Sequence, residues 1–352
     1  TAAAVPPSTR ASCDPAAVLG TWSTARRAAQ LVFAPADEDD VLAARPMVEA
    51  GAGGLLLFGS AAPADLPRQL AALRRHAPGG LPPLVTTDEE GGEIQRMANL
   101  AGNLPWPRTM AATMSPAQVQ ALAKRVGRRM RAAGITMDLA PVLDLSDSPG
   151  PNATYPDGPR SFSVHPAVAT AYGLAFAQGL RRGGVIPVVK HFPGLGQASV
   201  NTDFGPATVP PLPVLRRAAL LPFQAAINRG LPAVMVGEAA IPGLTHGLPA
   251  TLSRPAITGL LRHQLGFHGL VLTDSLSTGA IQHAGYGIPQ AAVRAIAAGA
   301  DMVTFDAANP PAATRAIITR LVAAVRSGQL PEARLDSAVQ HVLRAKGQPV
   351  CG

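Results

Sequence analysis

Aromatic residues make up only 4% of this 352-residue chain, and cysteine occurs twice, at Cys13 and Cys351. Lysine is nearly absent too: Lys124, Lys190 and Lys346 are the only ones, although lysine and arginine together number 30. Each shortage excludes something. Two cysteines at opposite ends provide neither a metal-binding thiolate cluster nor a redox pair, and leave two readings: a disulfide clasping the termini, or two unrelated thiols. No basic run interleaved with aromatics occurs, so the formal net charge of +8 reads as the codon bias of a high-GC genome more readily than as a nucleic-acid surface; a polyanionic cell wall would also suit a basic protein. No uninterrupted apolar run reaches the length of a membrane span. The opening TAAAVPPSTRAS is a Pro/Ala/Ser-rich tether without a leading methionine, as expected after removal of a signal peptide or a tag; an extracellular or cell-envelope location is therefore expected, with the cytoplasm as the alternative.

What the chain has in quantity is apolar residues, 47% of the total, in short Val/Ile/Leu-rich runs separated by Ala/Arg/Leu segments of helical period. Eight such runs are expected to be strands: 29–33, 54–58, 84–87, 137–140, 186–189, 233–236, 270–273 and 302–305. Helices are expected over 64–76, 116–133, 166–182, 214–229, 254–265, 290–298, 312–327 and 331–346. Strands alternating with helices predict α/β architecture, a single (β/α)8 TIM-type barrel. The expected organisation is an extended N-terminal segment over 1–20, a barrel domain over 21–348 and a short tail over 349–352, in a monomer.

Barrel enzymes place their sites at the C-terminal ends of the strands, and ionisable groups follow six of these runs. Asp88, Glu89 and Glu90 come after the third, Asp144 after the fourth, Lys190 and His191 after the fifth, Glu238 after the sixth, Asp274 after the seventh and Asp306 after the eighth. Asp144 and Asp306 read most simply as helix caps or structural carboxylates. The full set converging on one rim is more than capping explains.

Five segments in order, TDEEGGEIQRM (Thr87 to Met97), ITMDLAPVLDL (Ile135 to Leu145), GPRSF (Gly158 to Phe162), KHFPGLG (Lys190 to Gly196) and GLVLTDSLSTGAI (Gly269 to Ile281), resemble glycoside hydrolase family 3, specifically its single-domain bacterial β-N-acetylglucosaminidases. The resemblance covers about residues 25 to 346 and implies the same barrel. It implies that Asp274 is the nucleophile of a retaining glycosidase, a role a carboxylate can fill by attacking an anomeric carbon and holding a glycosyl ester. It also implies that Asp88, Arg96, Arg160, Lys190 and His191 hold the sugar, with acceptors and donors matched to its hydroxyls. For Arg96 and Arg160 the simpler alternative is an internal ion pair.

Two departures stand out. The family carries an Asp-x-His pair after KHFPG, in which the His is the general acid/base; here those positions hold Asn201 and Asp203. Three explanations compete: Asp203 is itself the acid/base, Glu238 supplies the proton, or no acid exists and the barrel binds glycans without efficient cleavage. Glu93, where the family often has Arg, either pairs with Arg96 or a cationic part of the substrate, or is a surface change. The resulting expectation is a retaining exo-β-N-acetylglucosaminidase acting on a GlcNAc-containing cell-wall or chitin-type glycan, with no nucleic-acid partner, no metal and no organic cofactor. A catalytically impaired glycan-binding barrel, a related glycosidase or phosphorylase, and a Schiff-base aldolase on Lys190 are the alternatives.

Overall fold

The computed structural model describes residues 19–348; the readings for 1–18 and 349–352, including the pairing of Cys13 with Cys351, lie outside the described residues. The strands are β1 (Val32–Asp37), β2 (Gly54–Phe58), β3 (Leu84–Thr87), β4 (Glu89–Gly91), β5 (Ile94–Gln95), β6 (Met137–Asp138), β7 (Ile186–Phe192), β8 (Ala233–Val236), β9 (Leu270–Ser275) and β10 (Met302–Thr304). All but β4 and β5 are parallel and close a barrel in the order β1, β2, β3, β6, β7, β8, β9, β10 and back to β1. The ring shuts where Val32 pairs with Val303. The fold is the single (β/α)8 barrel expected.

Its interior is a packed core: Phe33, Leu56, Leu84, Met137, Val188, Met235, Leu272 and Met302 fill it. Gly54 is dictated by this packing, because a Cβ there would lie 2.0 Å from the Phe33 ring. Val342 of the terminal helix Glu332–Ala345 joins the same cluster and stoppers the N-terminal end of the barrel. Asp301, at the start of β10, ties that end together, accepting from Arg262 Nη2 and Arg334 Nη2 at 2.7 Å each, from the backbone N–H of Val271 at 2.9 Å, and facing His341 Nδ1 at 3.0 Å. Burial opposes its charge, but Arg262, His341 and Arg334 outweigh this and hold the carboxyl well below its ordinary range.

Around the barrel, helices Pro116–Ala132 and Pro166–Arg182 cover the sheet. The first begins with a capping box, Ser115 receiving the Gln118 N–H at 3.3 Å while the Gln118 side chain receives the Ser115 N–H at 2.7 Å. Two expectations need correction. The first strand lies at Val32–Asp37, because Ala28 and Ala29 complete the helix Thr24–Ala29, capped by Ser23. The helix expected over 214–229 is divided into Leu212–Leu215 and Leu220–Asn228. Among the described residues no helix is long and apolar enough to cross a membrane.

Candidate active site

At the C-terminal end of the barrel lies a cavity of about 340 Å³, lined by Asp88, Glu90, Arg96, Arg160, Lys190, His191, Asp203 and Asp274 among others. Seven of the eight residues singled out in the sequence therefore meet there. The eighth, Glu238, does not line it.

The cavity is organised around a residue to which sequence reasoning assigned no role. Glu90 is 1% exposed and receives Arg160 in bidentate fashion, Nε to Oε2 at 2.8 Å and Nη2 to Oε1 at 2.9 Å. Lys190 Nζ lies 2.6 Å from Glu90 and donates to Asp88 Oδ1, also at 2.6 Å. Two carboxylates thus fix two cations in a nearly dry wall. Burial opposes the charge on Lys190, yet Asp88 and Glu90 more than compensate and raise its pKa. Burial likewise opposes ionisation of Glu90, but Arg160 and Lys190 hold it far below the ordinary value. A lysine so held stays charged, which disfavours the Schiff-base alternative, since that chemistry needs a neutral amine.

The signal for Glu90 was the strand alternation of residues 88 to 90. In the β4–β5 hairpin Glu89 faces the other way and braces the turn, accepting from Met97 N–H at 2.6 Å and Gln95 Nε2 at 2.8 Å. Its burial pushes it up to about 7. The turn needs Gly92 at φ +61°, where a Cβ would lie 2.0 Å from the Trp106 ring. Glu93 beside it is exposed and makes no ion pair among the described residues, as in the surface reading.

Lys190 and His191 belong to β7 itself and are joined by a cis peptide. The His191 ring is oriented from below by Asp144, whose Oδ2 lies 2.6 Å from Nδ1. The same carboxylate accepts the backbone N–H of Leu195 at 2.6 Å and that of His191 at 3.1 Å. Asp144 is thus no helix cap; it positions a residue of the cavity wall. Burial pushes Asp144 up to about 7 and depresses His191, so the ring is neutral near pH 7. Asp157, just before Arg160, is fully buried beside them and pushed up to about 8 by burial, with Asp144 adding to the effect. Its loop carried no periodic signal to expose it. Asp306 is exposed and accepts the N–H of Ala307 at 2.7 Å, as a structural carboxylate would.

Asp274, the last residue but one of β9, opens into the cavity, its Oδ1 accepting the Ser275 N–H at 2.9 Å. Asp203 enters from the loop after β7. Asn201 anchors that loop: its Oδ1 accepts the Asp203 N–H at 3.1 Å, its Nδ2 donates to Asn152 O at 3.1 Å, and its N–H donates to Ala153 O at 3.2 Å. Asp203 is exposed at the mouth, and among the described residues no hydrogen bond holds its carboxylate. Glu238 is 1% exposed; Thr278 donates to Oε2, while Oε1 has no partner among the described residues. Burial, reinforced by Asp274, raises its pKa well above the ordinary value. Arg96 also lines the cavity, its Nε buried and unpartnered among the described residues. No carboxylate pairs with Arg96 there, whereas Arg160 does make the internal ion pair considered above, with Glu90, while still lining the cavity.

Residues 27–345 match the family described as "Glycosyl hydrolase family 3 N terminal domain". The chain is 38% identical to the β-hexosaminidase LpqI of Mycobacterium tuberculosis over 98% of its own length and 89% of that protein. A crystal structure of a GH3 glycosyl hydrolase from Mycobacterium smegmatis superposes with a TM-score of 0.85 at 38% identity, covering 96% of this chain and 100% of that one. A GH3 β-N-acetylglucosaminidase from a Paenibacillus species gives 0.86 at 32% identity, covering 93% of this chain and 62% of that one. The chain belongs to glycosyl hydrolase family 3 and is a glycoside hydrolase.

Proposed function

We propose that the chain is a retaining exo-β-N-acetylglucosaminidase that removes a terminal β-linked GlcNAc from cell-wall or chitin-type glycans outside the cytoplasmic membrane. The observation that carries this reading is a single-sugar-sized cavity in which a polar wall, Asp88, Arg160, Lys190 and His191, shares one space with two carboxylates, Asp274 and Asp203. About 340 Å³ is at the small end of ligand sites, which suits one terminal sugar. Relatives named for β-hexosaminidase and β-N-acetylglucosaminidase activity support the sugar, and the net charge of +8 suits a polyanionic wall.

In this mechanism Asp88 accepts from sugar hydroxyls while Lys190, Arg160 and Arg96 donate to its oxygens. The neutral His191, aligned by Asp144, adds one more hydrogen bond. Asp274 attacks the anomeric carbon as the bond to the leaving oxygen breaks, and Asp203 gives that oxygen its proton. Water then attacks the glycosyl ester, Asp203 takes the proton from water, and Asp274 leaves as a carboxylate; two inversions give net retention. Asp203 fits the proton role better than Glu238, because it faces the mouth where the leaving group exits, whereas Glu238 is sealed beneath the rim.

The test compares an aryl β-GlcNAc bearing a good leaving group with a β-linked disaccharide in Asp203→Ala and Glu238→Ala. Loss of the acid should depress kcat/KM on the disaccharide by ~10²-fold or more relative to the aryl substrate, and only Asp203→Ala should do so. The same asymmetry in Glu238→Ala instead would transfer the role. Wild-type protein that binds GlcNAc but turns over neither substrate would identify a binding barrel.

A further inference from the structure

Beneath the sugar-facing wall, one ligand atom each from Asp144, Asp157 and His191 lie within 4.8 Å of one another, and all three residues are buried. Asp157 is the unexplained member. It is fully buried, yet neither carboxylate oxygen has a hydrogen-bond partner among the described residues, a costly state for a polar group unless something binds it. Asp144 is preset by the backbone N–H groups of Leu195 and His191, the kind of outer support that orients metal ligands.

We infer that Asp144, Asp157 and His191 form a site for a borderline divalent transition metal, with zinc the best fit, and that occupancy inhibits the enzyme. One imidazole nitrogen with two carboxylate oxygens is a zinc donor set and leaves a fourth position for water. Calcium and magnesium demand more oxygen donors and accept imidazole poorly. The ion takes up groups that otherwise orient His191 in the cavity wall, so binding there disables sugar recognition. Asp157 is not among the residues that line the cavity, which makes it the position at which to separate metal binding from catalysis.

Zinc chloride alone, in chelator-free buffer, is titrated calorimetrically into the full chain and into Asp157→Asn, with magnesium as the control metal. The expected result is one zinc per wild-type chain, no response to magnesium, and at least ~10-fold weaker zinc binding in the variant, matched by an equal loss of zinc inhibition. Anomalous diffraction from zinc-soaked wild-type crystals locates the ion between Asp144, Asp157 and His191, and decides the matter if the variant does not fold. Equal affinity in Asp157→Asn, an ion at Asp203 and Asp274 instead, or no wild-type binding at millimolar zinc overturns the inference. Because binding is read without substrate, these outcomes do not depend on the assignment of activity.

Discussion

Glu90→Gln is the substitution that most directly tests how the cavity wall is held. The glutamate satisfies a bidentate Arg160 and a Lys190 ammonium from a position 1% exposed to solvent. Glutamine keeps the shape, but its NH2 must face one of two donors, and no charge remains to offset theirs. Lys190 keeps Asp88 at 2.6 Å, while Arg160 keeps only the carbonyl of Pro156 at 2.9 Å. Breaking a buried pair from one side costs about 3–5 kcal/mol, roughly two to three and a half powers of ten in the folding equilibrium. With m about 2–3 kcal/mol/M the urea midpoint falls by roughly 1–2.5 M, read by far-UV circular dichroism. Glu49→Gln, which breaks the exposed pair with Arg45, is the control and leaves the midpoint unchanged. If Glu90→Gln shifts the midpoint no more than that control, the pairs do not stabilise the wall and the reasoning is refuted.

Asp301→Asn should destabilise the opposite end of the barrel, and the pH dependence identifies the cause. The folded pKa of Asp301 is depressed by its Arg and His partners, so its contribution is present above the unfolded value and is lost as pH falls below about 4 toward the folded one. The gap in urea midpoint between wild type and variant should therefore narrow through that range; a constant gap would show that shape, not charge, is responsible. Gly158→Ala should cripple turnover and expose the 146–161 loop to proteolysis, since Gly158 has φ +55° and a Cβ would lie 1.5 Å from the carbonyl oxygen of Gly150; wild-type activity in this variant would mean the loop conformation is irrelevant to the site.

How far the sequence discloses this molecule depends on which physical signal each part leaves. The runs 54–58, 84–87 and 233–236 coincide with β2, β3 and β8, because interior-facing and helix-facing residues are both apolar there. The same signal ends too early in β7 and β9, which continue through Lys190–Phe192 and Asp274–Ser275. Strand backbone persists where the side chains turn polar, and Lys190, His191, Asp274 and Ser275 line the cavity. Glu90 hides inside an acidic triplet, and only alternation distinguishes it from Glu89. Asp144 looks like a cap because its partner, His191, is remote in sequence, and the surroundings of Asp157 are set by a loop that no periodicity describes. Glu238 shows the reverse: its topological position matches that of Asp274, yet its side chain is buried away from the cavity.

The central claim is that Asp274 carries the glycosyl group. A 5-fluoro-β-GlcNAc fluoride, whose fluoride leaves without acid help and whose ring fluorine slows the second step, should accumulate the intermediate. Intact mass should then rise by one fluorinated glycosyl residue, peptide mapping should place the increment on Asp274, and Asp274→Asn should gain nothing. An adduct on any other residue, or turnover of natural substrate by Asp274→Asn, contradicts the account.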